Sequence, residues 1–139
     1  MYKNILVSTD GSELAMKGVD HALGLAKDAD AKVTVITVSY PYPLQSAATF
    51  DSWNNAQRET AEKALREAKV AGERYGVEVQ AHQAVNESAA EAIVDAAISR
   101  HCDLIVMASH GRRGMSRLLL GSQTSEVVSH SPIPVLVVR

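Results

Sequence analysis

The sequence predicts an α/β domain: a three-layer, open, five-stranded parallel sheet with helices on both faces. Three observations carry this expectation. Apolar, β-branched runs alternate with segments of helical periodicity in the order β-α-β-α-β-α-β-α-β, and strands separated by helices imply right-handed crossovers and a parallel sheet. Several strands are apolar at every position, as expected where helices cover both faces. The chain of 139 residues is 46% apolar and 22% charged, which supports one core and leaves no room for a large multidomain enzyme. With no linker, repeat or low-complexity block, residues 1–139 read as a single domain.

Each element has its own signal. Ile5-Leu6-Val7 is a short strand that ends at the turn and capping cluster Ser8-Thr9-Asp10-Gly11-Ser12. Leu14, Ala15, Val19, Ala22, Leu23 and Ala26 then recur at the three and four spacing of a helix. Residues 33–38 are β-branched and form the second strand, and Tyr40-Pro41-Tyr42-Pro43 opens a surface loop reaching about Phe50. Helix formers dominate residues 51–75, with Ala61, Ala64, Leu65, Ala68 and Ala71 on one side and Gly76 placed to end the helix. Val77, Val79, Ala81 and Val85 alternate as a third strand. Ser88-Ala89-Ala90-Glu91 has the capping-box pattern of a helix that buries Ala89, Ile93, Ala96 and Ala97. Residues 104–108 are a fourth strand, a Gly- and Arg-rich loop follows, and Ser122 starts a short helix to about Ser129. Pro132-Ile133-Pro134 stops that helix ahead of the last strand, residues 135–138.

Composition excludes several function classes. One cysteine, Cys102, rules out an internal disulfide framework and a cysteine-based zinc site. No apolar run approaches the about 20 residues that span a bilayer, and Met1-Tyr2-Lys3-Asn4-Ile5 lacks the features of a secretory signal. The expectation is a cytoplasmic protein. The net charge is −2, yet no acidic residue lies between Asp103 and Glu126, where Arg112, Arg113 and Arg117 fall; without those three the rest carries −5. A basic island on an acidic chain points to a small anion, whereas the near-neutral total argues against nucleic acid.

Open parallel sheets bind ligands beyond the carboxyl ends of their strands. Those ends carry Asp10, Val38 and Ala108-Ser109-His110-Gly111. In the last of these loops Gly111, Gly114 and Gly121 surround Arg112, Arg113, Ser116 and Arg117. Glycines let a backbone approach a ligand closely, and the free N–H groups of a starting helix favour phosphate. Neither G-x-x-x-x-G-K-[ST] nor G-x-G-x-x-G occurs. Ser109-His110 is not expected to act as a nucleophilic dyad, because neighbours in an extended strand point to opposite sides. The remaining histidines lack metal-ligand spacing, and Cys102 reads as a packing residue.

The segments Ile5-Leu6-Val7-Ser8-Thr9-Asp10-Gly11-Ser12, Met107-Ala108-Ser109-His110-Gly111-Arg112-Arg113-Gly114, Leu120-Gly121-Ser122 and Ile133-Pro134-Val135-Leu136-Val137-Val138 resemble the universal stress protein family, over essentially the whole chain. The family's nucleotide-binding marker, G-x₂-G-x₉-G-[ST], falls on Ala108, Gly111, Gly121 and Ser122, so that alanine replaces the first glycine. The resemblance implies a Rossmann-like, adenine nucleotide alpha hydrolase-like fold. It also implies an ATP-binding homodimer, with Mg²⁺ held mainly through the phosphates, that serves stress signalling with little or no hydrolysis. Carried over, Asp10 and Val38 hold the adenosine end, while Ser109, Gly111, Gly121, Ser122 and Gln123 surround ribose and phosphates. Ser8, Thr9, Ala108, Arg112 and Thr124 complete the implied nucleotide-binding set, and no residue is catalytic.

Alternatives stand beside these readings. Asp10 is either a ligand or a turn residue, and Arg112 and Arg113 are either phosphate clamps or solvated charges. Alanine at 108 costs about 1 kcal/mol if the backbone there needs a positive φ and is tolerated if the position is extended. Tyr40, Tyr42 and Trp53 either cover a ligand or pack on the second helix. A bare apolar edge such as Val135–Val138 invites aggregation unless covered, and the resemblance implies that it pairs with a second copy. A family branch that binds no nucleotide and acts through an unidentified protein partner is one rival function, and a slow ATPase is another.

Overall fold

The sheet is built from β1 (Asn4–Ser8), β2 (Lys32–Ser39), β3 (Val79–Val85), β4 (Leu104–Ala108) and β5 (Val135–Val138), connected by α1 (Glu13–Ala29), α2 (Phe50–Tyr75), α3 (Ala89–Ser99) and α4 (Ser122–His130). This computed structural model describes residues 1–44, 47–111 and 119–139. All strands are parallel, in the order β3-β2-β1-β4-β5. The apolar triplet of β1 explains its central place, because Ile5, Leu6 and Val7 can be wholly buried only with helices on both faces.

Alternation along β1 divides the core in two. Ile5 and Val7 pack with Val19, Ala22, Leu23 and Ala26 of α1 and Ala68 and Ala71 of α2. Leu6 faces the other way, with Ile93, Ala96 and Ala97 of α3 and Val127 of α4. Each large aliphatic side chain removed from water in this way contributes about 1.5–3 kcal/mol. Alanine supplies most of the buried positions of α2 and α3, so the helices lie close to the sheet with few aromatic rings between.

Local chemistry sets the boundaries. Ser12 and Ser88 cap α1 and α3 by accepting from the N–H groups of Ala15 and Glu91. Thr49 caps α2, which therefore starts one residue earlier than its periodicity suggests. Gly76 ends α2 at φ 69°, and Val77 N–H still donates to Gly72 O at 2.9 Å. Val77 thus belongs to the helix end, and β3 begins at Val79. As an outer strand, β3 leaves Gln80, Ala81, Gln83 and Val85 exposed. Among the described residues no helix is long and apolar enough to cross a membrane.

The chain runs from β1 outward to β2 and β3, and then returns across β1 to β4 and β5. Strand order reverses between β1 and β4, and in open parallel sheets this switch point, at the carboxyl ends of the two strands, is where a ligand crevice lies.

Candidate functional site

The loop after β1 is tied down by its own side chains. Gly11, at φ 81°, donates its N–H to Thr9 Oγ1 at 3.0 Å, and Ser12 N–H donates to Asp10 Oδ1 at 2.9 Å. The left-handed turn requires glycine, and the two bonds fix the loop before α1 begins. Thr9 N–H donates to Ile36 O at 2.9 Å, which continues the β1–β2 ladder past Ser8. Ser8 is opposite Ile36, two residues before Val38 in β2.

The loop after β4 closes on the same point. A Cβ on Gly111 would lie 2.8 Å from Asp10 Oδ2, so any larger residue there would require the Asp10 carboxylate to move. Asp10 therefore acts as the turn residue through one carboxylate oxygen, while the other faces Gly111. Ala108 is in regular strand geometry opposite Val138. The described non-glycine residues with positive φ are Asp30 and His101, so the alanine in the marker position carries no left-handed strain.

Beyond β4 the backbone bends, and Ser109 and His110 leave the alternation of a strand. Ser109 Oγ lies 3.2 Å from His110 Nδ1, which corrects the expectation that these side chains point apart. Ser109 is buried, with its N–H on Val138 O at 2.8 Å. Its carbonyl accepts from Gly121 N–H at 2.7 Å. A Cβ on Gly121 would stand 3.2 Å from His110 Cα. The N-cap of α4 is this glycine, which offers no side-chain acceptor; Ser122 is the first helical residue and is exposed. The first-turn amides of α4, with the positive end of its dipole, are thus presented beside Ser109 and Gly111.

Two of the implied site residues have their side chains engaged elsewhere. Gln123 Oε1 accepts from Ala90 N–H at 2.9 Å, and Thr124 Oγ1 donates to Ala108 O at 2.9 Å in a buried bond. Sequence reading missed both contacts, since neither partner lies nearby in the chain. Arg112 lies outside the described residues, as do Arg113, Gly114, Ser116 and Arg117. The aromatic residues after β2 pack on one another: Tyr42 meets Phe50 and Trp53 edge-on, and Trp53 Nε1 donates to Tyr40 O at 3.3 Å. Burial, and secondly Arg100, pushes the His82 imidazole down, while burial pushes the Cys102 thiol up. Neither group belongs to the crevice. Among the described residues no three His, Cys, Asp or Glu side chains are grouped to hold a metal.

Comparison with known proteins agrees with this architecture. The model of the universal stress protein family matches residues 1–139. A universal stress protein of Methanocaldococcus jannaschii is 34% identical over 142 aligned positions, covering the whole chain and 83% of the relative. One from Thermus aquaticus is 35% identical, with both chains covered in full. Among solved structures, a universal stress protein in complex with cAMP is 27% identical at a TM-score of 0.79, covering 99% of this chain and 97% of the other. One from Lactobacillus plantarum is 26% identical at a TM-score of 0.87, covering 99% and 98%.

Proposed function

This chain belongs to the universal stress protein family, and from that premise we propose that it binds an adenine nucleotide, ATP with its Mg²⁺ foremost, between the loops after β1 and β4. The observation that carries the reading is the approach of Gly111 to the Asp10 carboxylate beside a glycine-capped helix N-terminus. Such an arrangement offers backbone N–H groups to phosphate and a carboxylate to the sugar or base. The cAMP complex of a relative supports an adenine ligand. The strain-free Ala108 supports binding despite the altered marker. Asp10 and Val38 would hold the adenosine end, and Ser109, Gly111, Gly121 and Ser122 the ribose and phosphates. Mg²⁺ would be held through the phosphates and would neutralise part of their charge.

In this reading the protein is a nucleotide-responsive stress module of the cytoplasm. It works as a homodimer whose β5 edges meet, covering Leu136, which is 37% exposed in the single chain. Hydrolysis is slow or absent; the Ser109–His110 contact is the feature that favours a slow ATPase instead. Calorimetric titration with ATP, ADP, AMP and cAMP tests the proposal, with saturable ATP binding at one site per chain expected. No signal at millimolar ATP would favour the rival, a nucleotide-free interaction protein. Phosphate release from bound ATP separates a module from an ATPase. Light scattering at tens of micromolar should give the dimer mass, and a monomer there refutes the edge pairing.

A further inference from the structure

The resemblance assigns Gln123 to the ribose and phosphates, yet its side-chain oxygen is bonded to the N-terminus of a different helix. Gln123 is the second residue of α4, and Ala90 is the second residue of α3. Amides at this depth have no partner within their own helix. In α3 the Ser88 hydroxyl takes the N–H of Glu91, and Ala90 N–H is satisfied from outside by Gln123. The bond thus ties the first turns of two neighbouring helices.

Gln123 is one of three braces within four residues. Gly121 N–H is fixed to Ser109 O, and Thr124 Oγ1 to Ala108 O. Between them, Ser122 takes no part in the bracing and is exposed. The first turn of α4 is therefore clamped to β4 on one side and to α3 on the other, which sets the direction of its amides. An N–H group contributes to phosphate binding only when aimed at the oxygen, and the favourable dipole field falls off within one turn.

We propose that Gln123 is a positioning residue for the phosphate tail: bonded to Ala90 N–H, it holds the N-terminus of α4 on target and does not itself contact the nucleotide. This inference rests on the nucleotide-binding reading of the crevice. It predicts that discrimination by phosphate number passes through a bond on the far side of α4, away from the ligand. Ser122 and the backbone amides are left as the recognition groups of the turn.

Amide hydrogen exchange and paired titrations test it on the full chain. In the wild type, Ala90 N–H should exchange slowly and remain slow when ATP is added. Gln123→Met keeps the length of the side chain and removes the acceptor. It should speed Ala90 exchange and weaken ATP binding about three- to tenfold, with adenosine binding unchanged. Gln123→Glu restores an acceptor that the α3 dipole favours, and Ala90 should be slow again. Faster Ala90 exchange on addition of ATP would mean that Gln123 leaves α3 for the ligand, and would overturn the proposal. So would an equal loss of ATP and adenosine binding in Gln123→Met, or no loss of either. Failure of the wild type to bind ATP would instead remove the nucleotide reading on which the inference stands.

Discussion

Gly121→Ala probes the site where packing and recognition meet. At Gly121, φ is −60° and ψ 157°, a conformation open to any residue, so the substitution brings no backbone strain. What it brings is a methyl 3.2 Å from His110 Cα, 3.3 Å from His110 Cβ and 3.5 Å from Ser109 O. These neighbours cannot easily yield, because Ser109 is bonded through its N–H to Val138 and through its carbonyl to Gly121 itself. Overpacking of this kind costs about 1–3 kcal/mol, and alanine is a poorer N-cap than glycine by about 0.5 kcal/mol. A total of about 2 kcal/mol, set against an unfolding entropy of about 0.3 kcal/mol/K for 139 residues, lowers the melting temperature by about 7 °C. The first turn of α4 must also shift, so ATP affinity should fall about tenfold or more. Circular dichroism melting and calorimetry read the two effects. A variant that melts with the wild type and binds ATP equally well would refute the contact and the role given to α4.

Gly111→Ala should separate binding from stability. Among the described residues its methyl meets only the end of the Asp10 side chain, which can swing away, so melting should change by under about 1 kcal/mol while nucleotide affinity drops severalfold; a large loss of stability with intact binding would contradict this. Thr124→Val preserves shape and removes the buried donor to Ala108 O, costing about 1–2 kcal/mol, or roughly 3–7 °C in a thermal melt. An unchanged melt would show that the bond contributes nothing. The imidazole of His82 is held below its ordinary value of 6.5, first by burial and then by Arg100. Below that pH the unfolded chain binds more protons than the folded one, so stability is complete at neutral pH and falls as acid is added. Denaturant titrations across that window should show a shallower decline for His82→Gln, and parallel declines would rule out this linkage.

The element order was legible because each element announces itself locally. The capping serine at 88 and the terminating glycine at 76 act where their positions suggest. The β-branched run of β2 and the apolar run of β4 are strands of an all-parallel sheet. Periodicity does not encode which strand lies beside which, yet the site depends on it: Asp10 and Gly111 meet only because β4 returns to lie against β1. For the same reason Gln123 and Thr124 were legible only through the family resemblance, while their side-chain partners are distant in sequence. The alternation assumed for Ser109 and His110 failed because β4 ends at Ala108, one residue before the bend.

Amide shifts followed by NMR during an ATP titration locate the bound nucleotide. Binding between the loops after β1 and β4 requires that the largest changes fall together on Asp10, Gly111 and residues 121–124, saturating at one nucleotide per chain. Changes confined to the groove between α3 and α4, around Glu91, Asp95 and Glu126, or no change at all, would contradict it.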